Sequence, residues 1–469
     1  MKLFFVSVMF FFAFAFAEEQ DTSAVVKDTS ETSVIEILQR NPITYIISLP
    51  FQYVIQPTVE FLLYPAIPPL IYISRENIIE KGLNVISFGS NANGENNQML
   101  YPTLNLKPGS SSNIGLSYRH RDLFFQNDYF VLNPIIYINA DWETTLRYQK
   151  RKILETSFYS NFIANYKEDG DNSFRFVNDR EYLYSDSSAT LFGSFGFDIS
   201  ENWGMEFAAE ADFYRFDIPN ISDSVVLNNE KMKNLGFYQH FKQFPLSATI
   251  AYNSLDEPYA ATRGNKFSFK YTYTPVSDYN GSDGHNYHAV ESRLINYTLL
   301  GNRSYFMTTK EVLENRERLK RLSFAEAIKI LNPINIRENI LERKILVTQL
   351  RFRAMFEENN GLAPFTAMGK LGSNFPLRAY SDGYFTAPVI AGISAEYRWA
   401  VDKYADALIF DEYGIFGDSP NSLKFDNLRN SWGIGFRVRT PSFFIMRFAV
   451  AFHGLHGVAI TLTTRADYE

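Results

Sequence analysis

One arginine and two glutamates in the last third of the chain have the types and spacing of a specific ion-pair site. Arg378 stands near the centre of a long segment, residues 361–385, that glycines and prolines interrupt, and Tyr380 follows it closely. Glu396 and Glu412 lie on the polar faces of predicted strands that come next. A guanidinium group can pair with a carboxylate through two parallel contacts. We therefore predict that Arg378 braces its loop against these glutamates; the alternative is a solvated arginine without a fixed partner.

Asp411 is a weaker candidate for the same brace. It precedes Glu412 in one predicted strand, and successive side chains of a strand point to opposite faces. We therefore expect Asp411 to face away from the loop that carries Arg378.

Enzyme chemistry has little support in the sequence. Residues 416–419, FGDS, are similar to the nucleophile block of one lipase family, which also needs an aspartate three residues before a histidine. Neither His453 nor His456 has such an aspartate, so a loop turn is the better interpretation. No His or Cys cluster has metal-ligand spacing, and the acidic residues of 168–179 fit no calcium template. We predict a protein that is not an enzyme and needs no metal or cofactor.

Most of the chain from residue 82 onward alternates between apolar and polar side chains. In 345–356, leucine and phenylalanine alternate with Gln349, Arg351 and Arg353. Such runs are roughly 8–12 residues long, which suffices for a tilted strand to cross a bilayer. Repeated arginines on the polar faces require a water-filled lumen, because a packed core does not tolerate them. The pattern predicts an all-β, transmembrane antiparallel barrel of about 16 strands over 82–469; the alternative is a soluble sandwich or propeller.

The first 81 residues differ from the rest. Residues 1–17 form a short apolar run that ends in Ala-Phe-Ala, which predicts a cleaved signal peptide. Residues 18–33 are acidic and rich in Ser and Thr, as a flexible tether is. Prolines interrupt the apolar stretch 34–81, which predicts short, amphipathic helical pieces at a membrane interface or at the barrel mouth, on the periplasmic side. A small globular domain is the alternative for this stretch.

Composition limits the partners. The chain has no cysteine, so no disulfide or thiol chemistry is available. Its formal net charge of −7 argues against a nucleic-acid partner, because proteins that bind nucleic acid carry a basic surface.

Residues 309–342 interrupt the strand pattern and predict two helices. Leu313, Leu319 and Leu322 form an apolar stripe among charges, and a capping box at 323–326 opens the second helix. If the segment 361–385 enters the barrel from outside the cell, this insert lies in the periplasm. We expect a docking surface for a periplasmic factor there; a lumen plug or a neutral insertion are the alternatives.

Three motifs follow one another in the last third of the chain: LRAY at 377–380, SAEY at 394–397 and FDEYG at 410–414. They resemble motifs of the bacterial surface antigen family, which includes the Bam and Tam assembly proteins and two-partner-secretion translocators. LRAY at 377–380 matches the family's V/I-R-G-F/Y loop tip, with Ala379 in place of glycine. SAEY at 394–397 is similar to its S-x-E-aromatic strand. FDEYG at 410–414 is similar to its F-x-D-x-G strand, with Glu412 in the aspartate position.

The resemblance implies a sixteen-stranded barrel in which the loop 361–385 folds back into the lumen. It implies a protein of the bacterial outer membrane, in contact with its lipid, that assists insertion or translocation of other outer-membrane or surface proteins. Residues 18–81 are too short and too proline-broken for the family's array of periplasmic transport-associated domains, so we expect a barrel-only member. A passive pore or structural surface antigen without a client is the alternative.

Overall fold

The computed structural model describes most of the chain from residue 96 onward and little before it. The signal-peptide prediction, the tether, most of 34–81 and the insert 309–342 with Leu313, Leu319 and Leu322 lie outside the described residues. The described residues are 56–63, 81–82, 85–90, 96–107, 112–138, 141–153, 156–176, 181–217, 240–257, 260–275, 286–300, 344–357, 364–372, 376–401, 404–440, 444–454 and 457–464.

Nearly all of the described chain is β-structure, because its alternating side chains suit a pleated wall with two different faces. Helix α1 (Gln56–Leu63) precedes the strands. The strands are β1 (Ser87–Phe88), β2 (Gln98–Leu106), β3 (Asn113–Arg121), β4 (Asp128–Tyr137), β5 (Trp142–Lys150), β6 (Phe158–Phe176), β7 (Glu181–Asp198), β8 (Trp203–Asp217), β9 (His240–Gln243), β10 (Leu246–Asn253), β11 (Gly264–Thr274), β12 (Tyr287–Leu299), β13 (Lys344–Glu357), β14 (Gly369–Leu371), β15 (Phe385–Ala387), β16 (Val389–Ala400), β17 (Ala405–Gly417), β18 (Arg429–Arg439), β19 (Phe444–His453) and β20 (Gly457–Thr463).

Sixteen of these strands form a closed antiparallel barrel, as predicted. Each strand pairs with the next one in the wall, and the last, β20, pairs with the first, β2. The order in the wall is β2, β3, β4, β5, β6, β7, β8, β10, β11, β12, β13, β16, β17, β18, β19 and β20. Closure removes the free edges that a sheet cannot expose to lipid.

The two faces of the wall have different characters. Ile114 and Leu350 are 60% and 46% exposed on the outer face, as lipid-facing side chains are. On the inner face, Glu291 of β12 contacts Arg351 and Arg353 of β13 at 3.2 and 2.9 Å. The register thus confirms the predicted division of strand 345–356 into an apolar and an arginine-bearing face.

The barrel has two distinct ends. Residues 358–388, between β13 and β16, leave the wall at what we call the loop end. At the opposite end, the turn end, short connections such as 199–202 and 401–404 join the strands. The connection 300–343 between β12 and β13 also leaves the wall at the turn end. The strands that flank the predicted insert, β12 and β13, therefore end and begin on the opposite side from the segment that carries Arg378.

Strands β6 and β7 depart from the predicted run length. They have 19 and 18 residues, and their ladder continues from Phe158 to Arg175. The alternation of apolar and polar residues in 158–166 marks only the part of β6 that lies in the wall. Polar residues predominate where the β6–β7 hairpin extends beyond the wall. At its far tip Phe385 of β15 pairs in parallel with Arg175.

In the described part of the chain, no helix is long and apolar enough to cross a membrane.

Candidate functional site: a braced loop inside the barrel

The described parts of the loop, residues 364–372 and 376–385, leave the wall because the strands on either side of the loop pair directly with each other. β13 and β16 form a continuous ladder, so the connecting residues cannot continue the wall. Within the lumen, β14 and β15 form a small hairpin. Leu371, Leu377 and Phe385 of the loop pack against Ile390 and Phe416, which face inward from β16 and β17. An apolar seat therefore holds the loop before any charge is considered.

Arg378 at the loop tip contacts both predicted glutamates. Its Nη1 lies 2.8 Å from Oε2 of Glu396, and its Nε lies 2.8 Å from Oε1 of Glu412. The guanidinium carbon is 4.0 Å from the ring centre of Phe410. The side chains of Arg378, Glu396 and Glu412 are at most 2% exposed. The predicted brace is present, and it is buried.

The backbone of the loop tip is bound as firmly as its side chain. The N–H groups of Leu377 and Arg378 both donate to Oε2 of Glu412, at 2.9 and 2.8 Å, and the N–H of Ala379 donates to Oγ of Ser431 at 3.0 Å. Leu377 has a φ of 80°, in the left-handed region that a leucine rarely adopts. The two hydrogen bonds to Glu412 offset this strain, which costs about 1–3 kcal/mol.

Ala379 fits without strain, although the family has glycine at this place in its motif. The residue with the left-handed backbone is Leu377, whereas Ala379 is not among the non-glycine residues with positive φ. Ala379 is buried against Ala449, Ala451 and Ala459 on the inner wall. The substitution therefore exchanges conformational freedom for a small apolar contact.

Tyr380 contributes packing instead of charge. Its ring stacks on His453 of β19, with 4.7 Å between centroids, and meets Phe385 edge-on at 5.0 Å. It also packs against the cluster that includes Ala459 of β20. The loop tip thus reaches the last two strands of the wall.

Comparisons with known proteins give a match of fold. No family model and no curated protein matches the sequence. Among solved structures, BamA from Haemophilus ducreyi lacking POTRA domains 1–3 aligns over 79% of this chain and 70% of its own, with a TM-score of 0.54 and 14% identity. The chain has the barrel fold of BamA.

Two further structures align, CdiB from Acinetobacter baumannii and CdiB from Escherichia coli. Each covers 78% of this chain, with TM-scores of 0.47 and identities of 11% and 6%. The aligned parts are 59% and 62% of those chains, so this chain spans less than two thirds of either. At such identities the likeness concerns the fold alone.

Asp411 lies on the outer face, as its position in the strand predicts. It pairs across the strands with Ala395 and Trp432, and its Oδ1 accepts a hydrogen bond from Nδ2 of Asn430 at 2.7 Å. Arg378 is on the other side of the wall. Asp411 is therefore no part of the brace.

Two arginines of the brace were not predicted. Arg398 and Arg447 both contact Glu396, so this one carboxylate meets three guanidinium groups, including that of Arg378. The alternation placed both arginines on lumen faces. Arg398 stands two residues after Glu396 on the same face of β16, a spacing that could have indicated this contact. The contact of Arg447 depends on the register between β16 and β19, which are not neighbours, and the sequence carries no signal for it.

The part of the loop that precedes β14 has a second anchor, which was not predicted from the sequence either. Arg353, which already contacts Glu291, donates from Nη2 to the carbonyl of Ala367 at 2.6 Å. Phe365 is 1% exposed and packs on Phe216 of β8, with 5.2 Å between ring centroids. The loop is therefore fixed to the wall both before β14, at Phe365 and Ala367, and between β14 and β15, at Arg378.

The seam between β2 and β20 has the shortest ladder in the part of the wall that the structure describes. Among the described residues, only Asn105–Thr463 and Leu106–Leu462 pair directly there, whereas β13 and β16 share 11 pairs. Leu104 and Thr464 add hydrogen bonds at 2.9 and 3.0 Å.

The edge of β2 limits the seam further. The backbone of every second residue of β2 points to β20, and Pro102, two residues before Leu104, has no N–H to donate. Farther along the same edge, β1 pairs with Gln98 and Met99. Within the described residues, the closed barrel therefore has a short ladder at one place and an incompletely paired edge of β2 beside it.

The lumen loop contacts both sides of this seam. On the β20 side, Ala379 belongs to the same buried cluster as Ala459, and Tyr380 packs against that cluster. On the β2 side, Asp382 lies 3.9 Å from Nζ of Lys107, the residue that follows β2. The second contact is half-exposed and therefore weak. A loop held by Arg378 can thus support the seam from inside.

Proposed function

We propose that this chain is an outer-membrane barrel that assists the insertion or translocation of other outer-membrane or surface proteins. The working element is the seam between β2 and β20, and the brace at Arg378 holds the loop that supports it. Exposed apolar side chains on the outer face suit a lipid environment. The proposed activity is not enzymatic.

The observation that carries this proposal is the contrast between the seam and the rest of the wall. Two residue pairs are a small fraction of an ordinary ladder, so opening the described part of the seam breaks few hydrogen bonds. An opened edge of β2 offers unpaired N–H and C=O groups to an incoming strand. Client barrel strands have the matching groups, and periplasmic factors could deliver them.

An engineered disulfide across the seam tests this proposal. Asn105 and Thr463 face each other across the seam. The neighbouring pair Leu104–Thr464 makes the backbone hydrogen bond, and because hydrogen-bonded pairs alternate with other pairs along an antiparallel ladder, Asn105 and Thr463 make none. Such pairs have Cα atoms about 4.5 Å apart, within the range of a disulfide. The chain has no other cysteine to interfere.

The variant Asn105→Cys/Thr463→Cys is expressed in cells depleted of the natural protein, and the outer-membrane proteome is measured. We expect depletion to lower specific barrel or surface proteins, the oxidised variant to fail in restoring them, and reductant to recover them. Ser247→Cys/Thr272→Cys is the matched control, because this pair has the same geometry between β10 and β11. A proteome unchanged by depletion, or fully restored by the locked variant, would favour a passive pore.

A further inference from the structure

Helix α1 lies on the outside of the barrel. Val59 is 4% exposed and belongs to a buried cluster with residues of the outer face. Tyr397 and Trp399 of β16 and Ala405 and Ala407 of β17 are members of this cluster. All four have the opposite strand parity from Glu396 and Glu412, which face the lumen.

The helix presents two different sides. Val59 packs on the wall, and Oε1 of Gln56 accepts a hydrogen bond from the hydroxyl of Tyr397 at 3.3 Å. Phe61 is 75% exposed. Residues two apart in an α-helix are separated by about 200° around its axis, so Phe61 points away from Val59.

The location of α1 along the barrel axis follows from its contacts. Tyr397 and Trp399 stand at the end of β16, Ala405 begins β17, and the turn end lies between them. Short turns of outer-membrane barrels lie on the periplasmic side. This step rests on the membrane placement in the proposed function, and it puts α1 at the level of the periplasmic leaflet.

We propose that α1 is an interfacial helix that covers the outer wall with Val59 and contacts phospholipid acyl chains with Phe61. The wall around α1 is apolar on its outer face as well, because Leu346 of β13, Ile409 of β17 and Ile434 of β18 pack against the same cluster as Val59. A phenylalanine beside a lipid-facing wall meets the same apolar surroundings as the wall itself. The occupant of this surface is therefore lipid.

The first test places a probe at Phe61. The variant Phe61→Cys carries an environment-sensitive fluorophore on its single cysteine, and the full chain is inserted into phosphatidylethanolamine–phosphatidylglycerol vesicles with or without brominated acyl chains. We expect a blue-shifted emission that brominated lipid quenches. Glu201→Cys is the matched control at the turn end, exposed in the turn 199–202, and its label stays water-exposed and unquenched.

The second test asks whether α1 shields the wall. Trp399 is the tryptophan that packs in the cluster under the helix, and the other three of the chain are replaced by phenylalanine. Brominated lipid should quench Trp399 weakly in this background and strongly after Val59→Asp, which expels the helix from its apolar seat. Thr58→Asp, an exposed position one residue away, should leave the quenching weak.

Several results would overturn the proposal. A label at Phe61 that emits and responds like the label at Glu201 in vesicles would exclude lipid contact. Shielding of that label in native envelopes but not in vesicles would assign the surface to a protein. Strong quenching of Trp399 before Val59 is changed would place the helix off the wall. The vesicle readouts use purified protein without clients, so they are independent of whether the seam admits other proteins.

Discussion

Both carboxylate oxygens of Glu412 contact Arg378. Oε1 lies 2.8 Å from the side-chain Nε, and Oε2 accepts the backbone N–H of the same residue at 2.8 Å. One carboxylate thus fixes both the loop backbone and the direction of its arginine. The loop tip cannot leave the wall without losing both contacts.

We expect Glu412→Ala to destabilise the barrel and to increase its conductance, because Arg378 and two backbone amides lose their buried acceptor. Breaking a buried ion pair by removing one partner costs about 3–5 kcal/mol. The measurements are the temperature at which the compact gel band converts to the unfolded one, and single-channel conductance. Asp411→Ala is the matched control, because Asp411 is adjacent but faces outward. Equal conversion temperatures in the two variants would contradict the brace.

A double-mutant cycle tests the partnership itself. Arg378→Ala should lower the conversion temperature as Glu412→Ala does, and the double variant should lower it little further, since the contact is already lost. Arg378→Lys should lower the conversion temperature less than Arg378→Ala does, but it should not restore the natural value. An ammonium group cannot span Glu396 and Glu412 as a guanidinium group does. Fully additive losses would show that the two residues act independently.

Ala379→Gly introduces the residue that the family motif has at this position. We expect no stabilisation, because Ala379 lacks the positive φ that glycine relieves. Loss of a methyl group from a buried cluster and greater freedom of the unfolded chain should instead cost about 0.5–1 kcal/mol. The same gel-shift midpoint measures it. A higher midpoint than that of the natural chain would contradict this account of the loop tip.

The sidedness of the barrel predicts where the insert 309–342 resides. A cysteine at Lys320 should react with a membrane-impermeant maleimide only after the outer membrane is opened, because the connection between β12 and β13 leaves the wall at the turn end. Lys424→Cys is the control at the loop end, exposed between β17 and β18, and it should react in intact cells. Labelling of Lys320→Cys in intact cells would contradict the assigned orientation, because it would place the turn end of the barrel outside the cell.

Strand faces could be predicted because alternation is a local property of the sequence. The side of the wall on which Glu396, Glu412 and Asp411 lie follows from parity alone. The brace could be predicted because a loop tip between two adjacent strands can reach only the inward-facing residues near it. In both cases, residues close in sequence determine the answer.

Contacts that depend on barrel closure could not be predicted. Arg447 reaches Glu396 only because of how β16 to β19 are staggered, and the short β2–β20 seam depends on the shear of the whole wall. The location of α1 on the outer face of the barrel could not be predicted either. Val59 carries a signal for burial but none for which of the two barrel faces it covers.

The central claim is that the braced loop supports the seam, and the rate of seam cross-linking tests it most directly. In purified Asn105→Cys/Thr463→Cys protein, oxidation should form the disulfide quickly. In the same protein with Arg378→Ala, the disulfide should form more slowly, because the released loop no longer holds β2 and β20 together. Asp411→Ala should leave the rate unchanged, and so should Arg378→Ala when the cysteines are at Ser247 and Thr272. Equal rates of seam cross-linking with and without the Arg378→Ala substitution would contradict the account.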